Sequence, residues 1–276
     1  MTTPIELATY DAAYQGQPGA YSEEASWTLV GRGARLLSCE TLAVLFDAVA
    51  GGRAAHAVVP VENSLAGTVP RAYELLLEHD VTAIGETCVR IDHVLIGAPA
   101  TRLADVRRVL SHPVALDQCT GFIAARGMEA VPVFDTAGAV GMVMADEARD
   151  VAAIASRRAA HLHGAAILAE GIQDDDENWT RFLLLARRPA AAQGTGRKAI
   201  VAFRLRHERG TLSRALECLA SRGLNLTKIE SRPIRGRPFE YAFVIEATCG
   251  DLAPDWSAWL DAFRSVVTDV RLLGAY

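Results

Sequence analysis

No apolar run in this chain of 276 residues approaches the ~18 residues that a membrane-spanning helix needs, so no span is expected. Basic residues are sparse and scattered. The 28 Lys+Arg stand against 33 Asp+Glu, for a net charge of −5, and no Lys/Arg block offers the footprint of a nucleic-acid or anionic-membrane binder. An anionic ligand would therefore need a local positive patch working against the global charge. The five cysteines (Cys39, Cys88, Cys119, Cys218, Cys249) are odd in number, widely spaced and never form CxxC. That pattern excludes a disulfide scaffold or zinc site and suits small apolar residues of a cytoplasmic protein. The first residues carry Glu6 and Asp11 without a basic or long apolar stretch, so no secretory signal is expected. No carboxylate pair has the spacing of a general acid and base. The acidic run Asp174, Asp175, Asp176 and Glu177 lacks Ca²⁺-loop spacing, and His161 and His163 cannot share one helix face. No metal or cofactor is expected.

What the chain does have is half its residues apolar and 22% charged, the profile of a globular protein long enough for two domains. A short strand over 12–14 is broken by Gly16-Gln17-Pro18-Gly19, and Ser22 reads as the N-cap of a helix with Glu23 and Glu24 in its first turn. Strand, Gly/Pro turn and helix start make either an anion cradle or a plain tight turn. Leu42, Leu45, Phe46 and Val49 repeat at helical spacing up to Gly51-Gly52. The loop from Glu62 through Asn63, Ser64, Gly67 and Thr68 carries more polar groups than a helix cap requires, which suits ligand contact. From 81 onward an extended stretch over 89–96 leads to a strand at 109–111, a helix over 114–126, a strand over 130–134, a helix from Thr136 capped by Asp135, and a strand over 151–155. This alternation predicts a mostly parallel sheet covered on both faces. His112, just before Pro113, is open to a catalytic or a capping role. After the acidic run, Asn178-Trp179-Thr180-Arg181-Phe182 opens a further strand.

Residues 188–198 have the Pro, Gly and small-residue composition of a linker. Beyond them the order is strand 199–206, helix 211–222, strand 225–232, strand 239–248, helix 255–263 and strand 267–273. That is the βαββαβ ferredoxin-like arrangement.

With these stretches in hand, the chain resembles bacterial prephenate dehydratase along essentially its whole length. The resemblance is carried by Gly16 to Ser22, Pro60-Val61-Glu62-Asn63-Ser64 with Gly67-Thr68-Val69, Ser111-His112-Pro113 with Gln118-Cys119, Asp135-Thr136-Ala137, Asn178 to Phe182, and Glu230-Ser231-Arg232-Pro233. It implies an α/β catalytic domain over 8–187, two-lobed like type 2 periplasmic binding proteins, with lobe one at 8–80 and 171–187 and lobe two at 81–170. A ferredoxin-like ACT regulatory domain would follow over 199–276. The implied reaction removes carbon dioxide and water together from prephenate, giving phenylpyruvate, the precursor of phenylalanine. By resemblance Thr180 is catalytic and donates a hydrogen bond to the departing hydroxyl, with Asn63 and Ser64 beside it. Ser22, Glu62, Thr68, Ser111, Thr136, Arg181 and Phe182 would contact substrate. Strand alternation turns Arg181 away from Thr180, so it either pairs a substrate carboxylate or anchors the loop through one of Asp174 to Glu177. L-phenylalanine would bind at an ACT dimer interface through Gly210, Thr211, Leu212, Asn225, Glu230, Ser231, Arg232 and Pro233. The usual Gly-Ala-Leu is Gly-Thr-Leu here, which bears on ligand affinity. A homodimer or homotetramer without cofactor, nucleic-acid or membrane partner is expected. Arogenate in place of prephenate, or a two-lobed sensor that binds without turnover, are the alternative readings.

Overall fold

The computed structural model describes residues 9–146, 149–188, 196–206, 208–234, 236–250 and 256–276. The chain divides into two compact units, Met1–Val69 with Thr87–Leu183, and Pro70–Glu86 with Leu184–Tyr276. Of the expected linker, 189–195 lie outside the described residues, as do the first eight residues.

The first unit begins with β1 (Tyr10–Gln15), α1 (Tyr21–Val30), β2 (Leu36–Cys39), α2 (Leu42–Ala50), β3 (Ala54–Asn63) and the two-residue β4 (Gly67–Thr68). β1 lies between β2 and β3 and pairs in parallel with both. Its Ala12, Ala13 and Tyr14 are all buried, as a strand covered on both faces requires. Gly51 closes α2 where the spacing predicts, and Thr41 caps its start by accepting from Val44 N. Ser22 is not a cap. Ala20 holds that position, because the Ser22 hydroxyl donates back to the Gln15 carbonyl.

The chain leaves through α3 (Pro70–Glu78) and the first part of β5 (Val81–Arg90), then builds a second lobe. That lobe comprises β6 (Val94–Gly97), β7 (Arg108–Ser111), α4 (Pro113–Asp117), α5 (Thr120–Ala125), β8 (Glu129–Pro132), α6 (Thr136–Ala145), β9 (Val151–Ala155), α7 (Arg157–His163) and β10 (Ala166–Glu170). The chain returns to the first lobe as β11 (Trp179–Arg187), which lies next to β3. The second sheet runs β10-β6-β9-β7-β8. Its alternate residues feed two cores: Val94, Ile96 and Ala153 on one face, Leu95, Ala152 and Ile154 on the other. The sheet is mixed rather than mostly parallel. β7 is parallel to β8 and β9, whereas β6 is antiparallel to β9 and β10. The connection from β6 to β7 has no α-helix to carry the chain back across the sheet, so β7 runs opposite to β6. The single helix expected over 114–126 is broken at Gln118 and Cys119, because the Gln118 carbonyl accepts from Asp174 N (2.7 Å) instead of continuing the helix. Asp135 caps α6 through Gly138 N, as expected.

The second unit holds α3, the start of β5, and β12 (Lys198–Arg204), α8 (Thr211–Ala220), β13 (Leu224–Pro233), β14 (Tyr241–Cys249), α9 (Trp256–Phe263) and β15 (Asp269–Ala275). β13-β14-β12-β15 is antiparallel throughout, the ferredoxin-like order expected from the βαββαβ pattern. Strand β14 starts later than expected, because Phe239 has a positive φ of 64° in the turn before it. One sheet face presents Val201, Phe203 and Ile245 to Ala215 and Leu219 of α8 and to Trp256, Trp259 and Phe263 of α9. Burying each large aromatic is worth about 1.5–3 kcal/mol. Residues 70–80, read from the sequence as part of lobe one, pack in this unit: the Tyr73 hydroxyl donates to Glu246 Oε1 (2.6 Å), and Arg271 donates to the carbonyls of Leu77 and His79.

Candidate active site

Asn63 is the last residue of β3, and its side chain organises everything around it. Its Oδ1 accepts from the backbone amides of Leu65 (3.0 Å) and Ala66 (2.8 Å). A backbone N–H can only donate, so these two bonds fix which end of the Asn63 amide is oxygen. Its Nδ2 consequently faces acceptors at the start of β11: Asn178 Oδ1 (2.7 Å), the Trp179 carbonyl (3.1 Å) and Thr180 Oγ1 (3.0 Å). Thr180 accepts here, which leaves its own hydroxyl proton for another partner.

Ser64 staples the same junction. Its amide donates to the Trp179 carbonyl (2.8 Å), its hydroxyl donates to the Glu177 carbonyl (2.8 Å), and Trp179 N donates to Ser64 Oγ (2.9 Å). The second lobe contributes Gln118, whose Nε2 donates to Asn63 Oδ1 (3.3 Å). Asn178 is fully buried, and its Nδ2 has no partner among the described residues. An unpaired buried donor costs about 1–3 kcal/mol, and this one lies one residue from Trp179 and two from Thr180.

The sequence-predicted residues thus divide. Asn63, Ser64 and Thr180 are brought together. Glu62 meets Arg181: Nε (3.2 Å) and Nη2 (2.8 Å) both donate to Glu62 Oε2, with the arginine side chain only 13% exposed. Neither expected role of Arg181 describes this pairing, because β3 and β11 are neighbours and set the two residues side by side. The acidic run is held elsewhere, with Asp174 accepting from Gly121 N, Asp175 from Glu177 N and Asp176 from Gln173 Nε2. Thr68 pairs with Glu62 in the β3–β4 register, and Phe182 is buried in the core. The buried hydroxyls of Ser22 and Ser111 are spent on the carbonyls of Gln15 and Ile154. Thr136 lines a different cavity of about 430 Å³ with Gln15, Gly16, His112 and Phe134. His112 caps α4, its Nδ1 accepting from Val114 N (3.3 Å).

The glycine-rich turn is no open anion cradle. Gly16 N donates to the Cys39 carbonyl, Gln17 N to Asp135 Oδ2, Gly19 N to Glu23 Oε2 and Ala20 N to the Gln17 carbonyl, while Pro18 has no N–H. A separate cavity of about 490 Å³ is lined by Arg90, Arg157 and Arg158 together with Glu24, Asp92 and Tyr21, and two of its arginines are already paired, Arg157 with Glu170 and Arg158 with Glu23. Burial pushes the Cys119 thiol up to about 12, aided by Asp174, so it is no nucleophile. Among the described residues no cluster of His, Cys, Asp or Glu could hold a metal, and no helix is long and apolar enough to cross a membrane.

A comparison with protein families matches residues 12–190 to the one described as prephenate dehydratase. The chain belongs to the prephenate dehydratase family. It is a hydro-lyase by that membership. An Arabidopsis thaliana relative described as arogenate dehydratase/prephenate dehydratase 2, chloroplastic, is 40% identical over 96% of this chain and 72% of that protein. The bifunctional N-acyl-homoserine lactone acylase/prephenate dehydratase of Komagataeibacter europaeus is 38% identical over 96% of this chain and 94% of its own. Among solved structures, prephenate dehydratase from Arthrobacter aurescens in complex with L-Phe aligns with a TM-score of 0.86 and 30% identity, covering 96% of this chain and 89% of that one. The two-lobed α/β catalytic architecture with a ferredoxin-like module is thus that of the prephenate dehydratases.

The sequence singles out Thr180 and Asn63 in this family's pattern but not Gln118 and Asn178, which share the same hydrogen-bonded cluster. The signal for Gln118 and Asn178 was present, since both lie in the stretches that carry the resemblance. The predicted regulatory residues fall in two places. Gly210, with a φ of 79°, precedes α8, whose buried Thr211 directs its hydroxyl to the carbonyls of Arg206 and Glu208. Leu212 and Thr211 line a cavity of about 790 Å³ with Phe239 and Tyr241. On β13, Asn225 and Ser231 are exposed, Arg232 donates to Glu230 (2.9 Å), and Arg232 and Pro233 line a separate cavity.

Proposed function

We propose that this protein converts prephenate to phenylpyruvate, and that Thr180 is the residue whose hydroxyl meets the departing ring hydroxyl. The observation that carries this reading is the Asn63-to-Thr180 hydrogen bond, which occupies a Thr180 lone pair and leaves its proton to donate. In the reaction the bond between the ring and its carboxylate breaks, releasing carbon dioxide. That electron pair enters the ring, and the opposite C–OH bond breaks with its pair to give the aromatic product. Charge develops on the leaving oxygen, and a fixed donor there lowers the barrier more than one in water, because it needs no reorganisation. Thr180 donates a hydrogen bond while solvent supplies the proton that completes water. The amide of Asn178 is a second donor at the same junction.

On this reading residues 8–187 form the catalytic domain, 188–198 the linker and 199–276 an ACT domain. L-phenylalanine bound by that domain in a homodimer or homotetramer would inhibit the enzyme, which acts in the cytoplasm. The complex of the Arthrobacter aurescens relative with L-Phe supports the choice of effector. Arogenate is the second reading, supported by the names of the plant relatives. Incubation with prephenate, followed by phenylpyruvate absorbance in alkali, tests the assignment. Absence of product would remove it and favour a cleft that binds without turnover. Specificity constants for prephenate and arogenate, measured side by side, decide the preferred substrate.

A further inference from the structure

We infer that His93, at the crossover between the two lobes of the catalytic unit, is a positioning residue that holds Gln118 in the orientation that donates to Asn63, the residue whose amide leaves Thr180 its outward proton. The inference rests on the dehydratase reading for the role of Thr180. The polarity of each link follows from the one before. Asn63 Oδ1 is fixed as an acceptor by the amides of Leu65 and Ala66, so the Gln118 atom 3.3 Å from it must be the NH2 group. Gln118 Oε1 then faces His93 Nε2 at 3.0 Å, and that nitrogen must carry the hydrogen. The chain runs from His93 Nε2–H to Gln118, from Gln118 to Asn63, and from Asn63 to Thr180. Were Gln118 to flip, its oxygen would confront Asn63 Oδ1 and its NH2 group would confront the Nε2–H. The Nε2–H of His93 therefore supports the Gln118 orientation that Asn63 requires.

His93 is built to stay put. It is 2% exposed, its backbone amide donates to Gln173 Oε1 (3.0 Å), and its carbonyl accepts from Ile172 N (3.3 Å). The Tyr21 ring packs edge-on at 5.8 Å, with its hydroxyl donating to the Asp92 carbonyl (2.7 Å) and lying 3.4 Å from His93 Nδ1. The ionisable groups around it are Tyr21 from α1, Asp92 beside it in the chain, Cys119 next to Gln118, and Asp174 and Asp176 in the returning loop. Burial disfavours the imidazolium, yet Nε2 keeps its hydrogen in both protonation states, so the relay does not require His93 to transfer a proton.

The test uses the full chain and steady-state turnover. His93→Leu removes the donor and is expected to lower kcat about 10- to 100-fold, the usual consequence of loosening a positioned group, with KM within about threefold. His93→Gln offers an amide NH2 near the Nε2 position and should restore kcat to within about fivefold of the parent, with an unchanged pH profile. Because His93 acts through Gln118, adding His93→Leu to Gln118→Leu should cost no more than about twofold further. A His93→Gln variant as impaired as His93→Leu, and lacking a limb of the pH profile, would make His93 a proton donor and overturn the inference. Parent-like kcat in His93→Leu, or multiplicative losses in the double variant, would overturn it too. Independent of turnover, ¹⁵N spectra of histidine-labelled protein at pH 7.5 should show His93 protonated at Nε2 and bare at Nδ1. The opposite tautomer ends the inference even if the substrate assignment fails, whereas absent turnover with the expected tautomer removes only the dehydratase reading.

Discussion

A threonine hydroxyl has one proton and two lone pairs, and at Thr180 the Asn63 amide occupies a lone pair. Thr180→Val keeps the shape and strand propensity of the residue while deleting the proton, so it isolates the donor from the fold. Loss of one donor aimed at developing charge costs about 10²–10³ in kcat. Thr180→Val is therefore expected to lose at least that factor and Thr180→Ser to retain activity within about tenfold, read by phenylpyruvate formation. Equal activity in Thr180→Val and the parent would remove Thr180 from the chemistry. The neighbouring Arg181 is a separate case. Its charge is paired with Glu62 by two hydrogen bonds at side-chain exposures of 13% and 37%, between the buried and surface regimes. Glu62→Gln should cost about 1–2 kcal/mol, read as a lower urea midpoint with an unchanged slope, and leave KM within about threefold. A stable variant with KM raised tenfold would instead make Arg181 a substrate clamp.

Elements whose punctuation and periodicity are local were legible in the sequence: α2 up to Gly51, α6 behind Asp135, and the β12-to-β15 order. The features that stayed hidden are those whose partners lie far along the chain. The break between α4 and α5 depends on Asp174 N reaching the Gln118 carbonyl, and no pattern within 114–126 announces it. Arg181 finds Glu62 because β11 returns beside β3. The glycine-rich turn displayed its donors in sequence and has a local acceptor in Glu23, but Cys39 and Asp135, which take the Gly16 and Gln17 amides, are supplied by topology. That turn is also a contact between the lobes. The Ser156 hydroxyl donates to the Gly19 carbonyl (2.6 Å), and Arg158 Nε pairs with Glu23 (2.9 Å). Gly19 has a φ of +95°, and a Cβ there would lie 2.8 Å from the Ala159 Cα at the start of α7. Backbone cannot yield as a flexible side chain can. Gly19→Ala is thus expected to cost more than about 1 kcal/mol from the dihedral alone, with added loss from the clash. A melting temperature within a degree of the parent would show that the lobes do not hold this approach in solution.

For the whole molecule, ligand and proton linkage make the readable predictions. If L-phenylalanine binds the ferredoxin-like module, it should raise the melting temperature in proportion to RT ln(1 + [L]/Kd), and equally in Thr180→Val, because the effector site does not use that hydroxyl. A thermal shift lost in Thr180→Val would place phenylalanine in the catalytic cleft. The pH dependence of stability has a definite sign. Burial, only partly offset by the Gln118 hydrogen bond and by Asp92, lowers the His93 pKa below its ordinary 6.5. The folded state therefore favours neutral His93. Its contribution is complete above about pH 6.5 and is lost as pH falls through the lowered folded value. Asp11 acts in a separate window. Its carboxyl is held below 3.8 chiefly by the Arg35 backbone amide, then by the Arg35 guanidinium, so its share is complete above about pH 3.8 and disappears only in stronger acid. Below about pH 6.5 the declining group is then His93, and the urea midpoint of the parent should fall as the pH drops through the lowered folded value. His93→Gln carries no titrating ring and should lose much of that decline while keeping the relay polarity. Parallel declines in the two proteins would locate the acid sensitivity elsewhere and remove His93 as its source.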